Sequence, residues 1–167
     1  MKSIIFLLIL ISSTSCCLSQ SGKGYLMRGN EKLKVEDYKG AIAEYTKSIE
    51  INPYDTEVYF NRGIAKLNLK DFRGAIPDYT MAIDLKPDNA DAYLNRGYAK
   101  VRLKDYRGAI ADYNLAIELK PNNADAYFNL GIAKLGLNQK DNGCLDFSKA
   151  GELGSTEAYD MIRKYCN

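Results

Sequence analysis

The chain has 167 residues, with 23 Lys and Arg against 21 Asp and Glu and a net charge of +2. That balance leaves no broad basic face for nucleic acid, and the absence of histidine removes His-based catalytic triads and His metal sites. Apart from Cys16 and Cys17 the cysteines are Cys144 and Cys166, too few for a zinc site.

In chain order, the first element stands apart from any fold. Lys2 precedes an unbroken apolar run, Ile4 to Ile11, followed by "SSTSCCLSQ". Eight apolar residues rise about 12 Å as a helix, well short of the roughly 20 residues that span a bilayer. A basic start, a short apolar stretch and a small-residue tail are the layout of a secretory signal peptide over residues 1–19. Two endings fit. Cleavage after Ser19 leaves Gln20 first; alternatively "SSTSC" resembles a loose bacterial lipobox, with Cys16 or Cys17 as the lipidated first residue and Ser13 where that motif has leucine. The expected location is the cell envelope, in the periplasm or at the outer membrane, or the medium. Any membrane contact is expected only through such a lipid anchor.

From Ser21 onward the chain repeats itself. Pro53, Pro87 and Pro121 are 34 residues apart, as are Tyr25, Tyr59, Tyr93 and Tyr127, and Gly29, Gly63, Gly97 and Gly131. Residues 56–89 and 90–123 share 21 of 34 positions, so one supersecondary unit is copied along the chain. The units are 22–55, 56–89, 90–123 and a shortened 124–154, with 155–167 left as a terminal piece.

Each unit predicts two helices. "TEVYFNRGIAKLNL" carries apolar residues at helical spacing without a proline. Ser21, Asp55, Asn89 and Asn123 hold equivalent starting places, where a side-chain oxygen accepting an orphan N–H is worth ~1 kcal/mol. After "LKD" comes "DFRGAIPDYTMAIDL", with Ala75, Ile76, Tyr79, Ala82 and Ile83 as its apolar stripe. It stops at "KP", because Pro87 forces Lys86 out of the helical region. Pro77 sits inside this helix where Ala43 and Ala111 stand in the sister units. It removes a backbone donor and costs ~3 kcal/mol unless a kink relieves it. Ser155 opens a last helix, Thr156 to about Tyr165, which shields the open end of the array.

Tyr59, Gly63, Ala75, Tyr79, Ala82 and Pro87, repeated as Tyr93, Gly97, Ala109, Tyr113, Ala116 and Pro121, make the chain resemble the tetratricopeptide repeat family. The first unit carries Tyr25, Gly29, Ala41, Tyr45, Ser48 and Pro53, and the fourth carries Tyr127, Gly131, Gly143, Phe147 and Ala150. The resemblance covers residues 22 to about 154. It implies an all-α fold: an α-α superhelix of about four helix pairs plus a C-terminal capping helix, here of an exported bacterial type. Gly63 and Ala75 are then small so that paired helices approach closely, while the tyrosines fill gaps between successive pairs. Lys32, Lys66, Lys100 and Lys134 depart from the family, which often has an aromatic there; their stems are expected to cover that surface.

The resemblance also implies a concave groove, lined by the first helix of each pair, that holds a segment of a partner. Its expected residues are Phe60, Asn61 and Ile64, then Leu94, Asn95 and Tyr98, then Phe128, Asn129 and Ile132. Leu26 and Asn30 precede them, and Glu57, Asp91 and Asp125 form an acidic fringe. Phe60, Leu94, Tyr98 and Phe128 are open to two roles, core packing or partner contact. The asparagines are likewise open to bonding a bound peptide or only the repeat's own backbone. Family members that grip a chaperone's C-terminal carboxylate use two asparagines and three cations. Asn30 and Asn61 match, but Leu26, Asp91 and Asn95 hold the cationic places, which argues against that role. With no glycine-rich phosphate loop and no clustered catalytic acids, the expectation is a non-catalytic protein-protein interaction scaffold of the cell envelope. It would bind a protein or peptide, with no cofactor, metal or nucleic acid. A cytosolic co-chaperone-type adaptor is the alternative if residues 1–19 are not a signal.

The last expectation is a disulfide. The second helix of the fourth unit and the terminal helix should form a hairpin turning near Gly154. Cys144 lies 10 residues before that turn and Cys166 12 residues after it, so the two should face each other. An oxidising compartment would let them bond, provided that their Cα atoms come within about 7 Å; the alternative is two unpaired thiols, with Cys144 as a small core residue.

Overall fold

The computed structural model describes residues 21–166. Among them are nine helices and no strand: α1 (Gly22–Lys34), α2 (Tyr38–Ile51), α3 (Thr56–Asn68), α4 (Phe72–Leu85), α5 (Ala90–Arg102), α6 (Tyr106–Leu119), α7 (Ala124–Gly136), α8 (Lys140–Glu152) and α9 (Thr156–Tyr165). The signal-peptide reading of residues 1–19 and the lipidation of Cys16 or Cys17 lie outside the described residues. No described helix is long and apolar enough to cross a membrane.

The turn inside each pair explains why the pairs are so alike. Lys70, at φ 61°, follows the end of α3, its N–H donating to the Leu67 carbonyl and the Asp71 N–H to the Lys66 carbonyl. These two bonds satisfy orphan carbonyls at the helix end in the Schellman arrangement, with lysine where glycine is usual. Asp71 then caps α4, its side chain accepting from the Gly74 N–H. One aspartate thus ends one helix and begins the next, and the chain reverses at once. Glu36 with Asp37 and Lys104 with Asp105 do the same. In the fourth pair Asn138 keeps the positive φ, but Gln139 makes no capping bond. Between pairs the expected caps are formed: Ser21, Asp55, Asn89 and Asn123 each accept a first-turn N–H. Ser155 stands at the N-cap of α9 without such a bond.

Each pair closes on a large ring. Tyr45, Tyr79, Tyr113 and Phe147 are fully buried. A methyl on Gly63 would come within 2.8 Å of the Tyr79 ring, and one on Gly97 within 2.7 Å of Tyr113. Tyr79 and its equivalents therefore fill the space inside their own pair, where the glycine is the hole that admits them, and they also face the next pair, Tyr45 clustering with Val58 and Ala65 and Tyr113 with Leu130 and Ala133. Successive pairs join through small residues: Val58 and Ala65 of α3, Ala92 and Ala99 of α5, and Ala126 and Ala133 of α7 are all fully buried. Ala158 repeats that contact from α9, which packs on α8 with Met161, Ile162 and Cys166 near Phe147. Cys144 and Cys166 are disulfide-bonded across this hairpin, their Cα atoms 5.8 Å apart.

Candidate functional site

The first helices α1, α3, α5 and α7 present one face each along the array, and the residues expected there differ in what they do. Ile64, Asn95 and Tyr98 come together. With Leu67 and Asn68 they line a recess of about 430 Å³ between α3 and α5. Tyr98 is 37% exposed, stands edge-on to Phe72, and its hydroxyl accepts a bond from Arg102 at 3.0 Å. Phe60 lines a second recess of about 490 Å³ with Asn52, Tyr54, Glu57 and Lys86, and its inner edge meets the Tyr79 ring with centroids 5.8 Å apart. It thus serves core and surface together. Leu94, Phe128 and Ile132 are partly buried and packed on the cores of their own pairs, Phe128 against Phe147 at 5.7 Å.

The three asparagines do not form a uniform ladder. Asn61 donates to Asn30 Oδ1 at 3.0 Å, and Asn30 in turn accepts from the Tyr45 hydroxyl at 2.8 Å and donates to Glu57. Asn129 donates to the Asp125 carbonyl of its own helix. Asn95 makes no hydrogen bond among the described residues, and its amide lines the recess beside Ile64. The reason is one substitution of the repeat. Where the first unit has Asn30, the next two have Ile64 and Tyr98. The same change leaves the buried Tyr79 and Tyr113 hydroxyls without a partner. Burial pushes the Tyr45 hydroxyl up to about 12, helped by the Glu57 charge, and raises Tyr79 and Tyr113 further. None of these phenols is available as a base near neutral pH.

Beneath the face runs a charge network that the sequence reading missed. Asp78 is 2% exposed and receives Arg62 on both oxygens, at 2.6 and 3.0 Å, with Lys66 Nζ 2.7 Å away. Asp112 repeats this with Arg96 and Lys100. Arg62 also donates to Thr46 and Arg96 to Thr80, so each guanidinium ties its pair to the preceding one. The lysines flagged as departures are therefore not merely covering surface with their stems. The heads of Lys66, Lys100 and Lys134 pair with buried carboxylates, while Lys32 pairs with the exposed Asp37. In the fourth pair Leu130 replaces the arginine, and Asp146 keeps only Lys134, at 2.7 Å but without an aligned hydrogen bond. Burial raises the Asp146 carboxyl, with Lys134 opposing it. The signal was present as Arg, Lys and Asp recurring at the period of 34, but only packing reveals that they meet. No group of three or more His, Cys, Asp or Glu is placed to hold a metal ion among the described residues.

Stacked helix pairs with a recessed face on their first helices define a repeat scaffold, the class of protein that binds another chain along its surface. Tetratricopeptide repeat profiles match residues 22–55 and 56–89, and a TPR repeat profile matches 97–138. The first TPR of Spaghetti (RPAP3), solved bound to the HSP90 peptide SRMEEVD, is 33% identical over 72% of this chain and 95% of that one, with a TM-score of 0.69. MamA protein is 25% identical over 84% of this chain and 78% of its own, at a TM-score of 0.80. YrrB, described as a TPR protein with an unusual peptide-binding site, shares the fold at a TM-score of 0.81 and 19% identity, over 87% of this chain and 76% of its own. A sequence comparison with curated proteins gave no match. The chain belongs to the tetratricopeptide repeat family, whose members are generally non-catalytic scaffolds for protein or peptide partners.

Proposed function

We propose that the protein is a non-catalytic scaffold of the cell envelope that holds a segment of a partner protein across α3, α5 and α7. The observation that carries the reading is the recess between α3 and α5. There Asn95 offers an amide that no described residue uses, beside Ile64, Leu67 and an exposed edge of Tyr98. An amide aimed beside an apolar hollow suits an extended backbone with one apolar side chain inserted. RPAP3 binds a peptide with acidic residues, but Leu26, Asp91 and Asn95 here stand where such a peptide needs cations. The apolar run and small-residue tail of residues 1–19 support export. Affinity capture of envelope proteins tests the binding. An Asn95→Ala, Tyr98→Ala double variant should lose its captured partner by about tenfold or more while melting as the wild type does. Mass spectrometry of the mature N-terminus tests export: a lipid-modified Cys16 or Cys17, or a free Gln20, is expected. Unchanged capture by the variant, or an intact Met1 on protein in the cytosol, would contradict the respective half.

A further inference from the structure

The edge of the array where each second helix hands over to the next first helix is acidic, against the sign of the whole chain. Residues 48–58, 82–92 and 116–126 hold eight Asp and Glu and two Lys, within a chain of net charge +2. The recess over Phe60 opens on this edge. Tyr54, 78% exposed, stands at its rim with Glu57 and Asp55, and Lys86 is the cation that also lines it. We infer that the groove takes a basic partner segment, whose lysine or arginine side chains lie along this edge while its apolar side chains enter between the first helices. The inference rests on the groove reading above and adds the chemistry of the partner.

Two effects oppose each other at this edge. The N-termini of α3, α5 and α7 present the positive ends of their macrodipoles, each equivalent to roughly half a charge, which favour an anion. Glu57, Asp91 and Asp125 sit in those first turns with a full charge each, which outweighs them. Asp91 is partly compensated by Lys120 at 2.8 Å, whereas Asp125 makes no ion pair among the described residues. A cation with a hydrocarbon stem suits the side of the Phe60 recess formed by Tyr54, Asp55 and Glu57, whose two carboxylates outnumber the single opposing charge of Lys86. The stem lies on the ring, the head reaches Glu57, and the Tyr54 face adds a cation-π contact. Packed helices stand about 8–10 Å apart and an extended chain rises about 3.3 Å per residue, so a basic residue at roughly every third position would meet successive first turns.

The test is selection of a random dodecapeptide display library on the oxidised protein, with counter-selection on the Asn95→Ala, Tyr98→Ala variant. The expected result is a set of groove-dependent peptides enriched in Lys and Arg over the input library. Synthetic representatives should bind Glu57→Gln, Asp125→Asn about tenfold more weakly than wild type. Their affinity should also fall between about 50 and 500 mM salt, a readout that needs no variant to fold. Groove-dependent peptides with neutral or acidic composition would overturn the basic partner and leave the groove standing. Enrichment that ignores the groove variant, or none at all, would overturn both.

Discussion

Asp78 and Asp112 enter the interior only because each is met by two cations, an arginine forked across both oxygens and a lysine beside it. A buried pair of this kind adds little over an apolar replacement, but removing one member leaves uncompensated charge. Asp112→Ala should therefore lower the free energy of unfolding by about 3–5 kcal/mol, read from urea midpoints, by stranding Arg96 and Lys100. Asp146→Ala should cost clearly less. Its carboxylate has one partner and is already disfavoured by burial, so less stabilisation is there to lose. Equal losses at the two sites would mean that the arginine fork contributes nothing. The sequence displayed all six residues of the two complete networks at fixed spacing. It did not display which faces turn inward, and so the lysines read as surface cover.

The second helices α2, α4 and α6 share a length and a capping aspartate, and one of them contains Pro77. The helix α4 nevertheless runs unbroken for 14 residues, as α2 and α6 do with Ala43 and Ala111 in that place. Proline at the sixth position cannot donate to the Arg73 carbonyl, and its side chain is exposed, so no packing offsets the loss. Pro77→Ala is expected to stabilise the protein by up to ~3 kcal/mol, as a rise in denaturant midpoint with an unchanged m-value. A midpoint that did not move would mean that α4 carries no strain at Pro77. At this scale the sequence was highly legible. Caps such as Asn89, stops such as Pro87 and the terminal helix from Thr156 to Tyr165 follow from local chemistry that acts within one turn.

Along the whole array, the two ends are treated differently. Later first helices present Ala65, Ala99 and Ala133 to the preceding pair, all fully buried; α1 carries Glu31 at the equivalent position. At the other end α9 supplies one helix of a further pair. Seven of the nine described helices have a side-chain capping bond, and the two without it, α8 and α9, are the two joined by Cys144–Cys166. The covalent tie holds the end where local stabilisation is weakest. Closing 22 residues should contribute about 2–4 kcal/mol. On reduction, hydrogen exchange should quicken first across residues 140–166 while α3 to α6 stay protected. Uniform exchange before and after reduction would contradict this. The sequence alone determined the period, the helix pairs, the terminal cap and the facing of the two cysteines, because each depends on spacing along one chain. Only the tertiary structure decided which asparagine is left open, that Phe128 and Ile132 pack, partly buried, on the core around Phe147, and that lysines reach buried aspartates. Those outcomes depend on which side chain of one helix falls opposite which of another, and a single exchange, Asn30 for Ile64, redirects the bonds of every group around it.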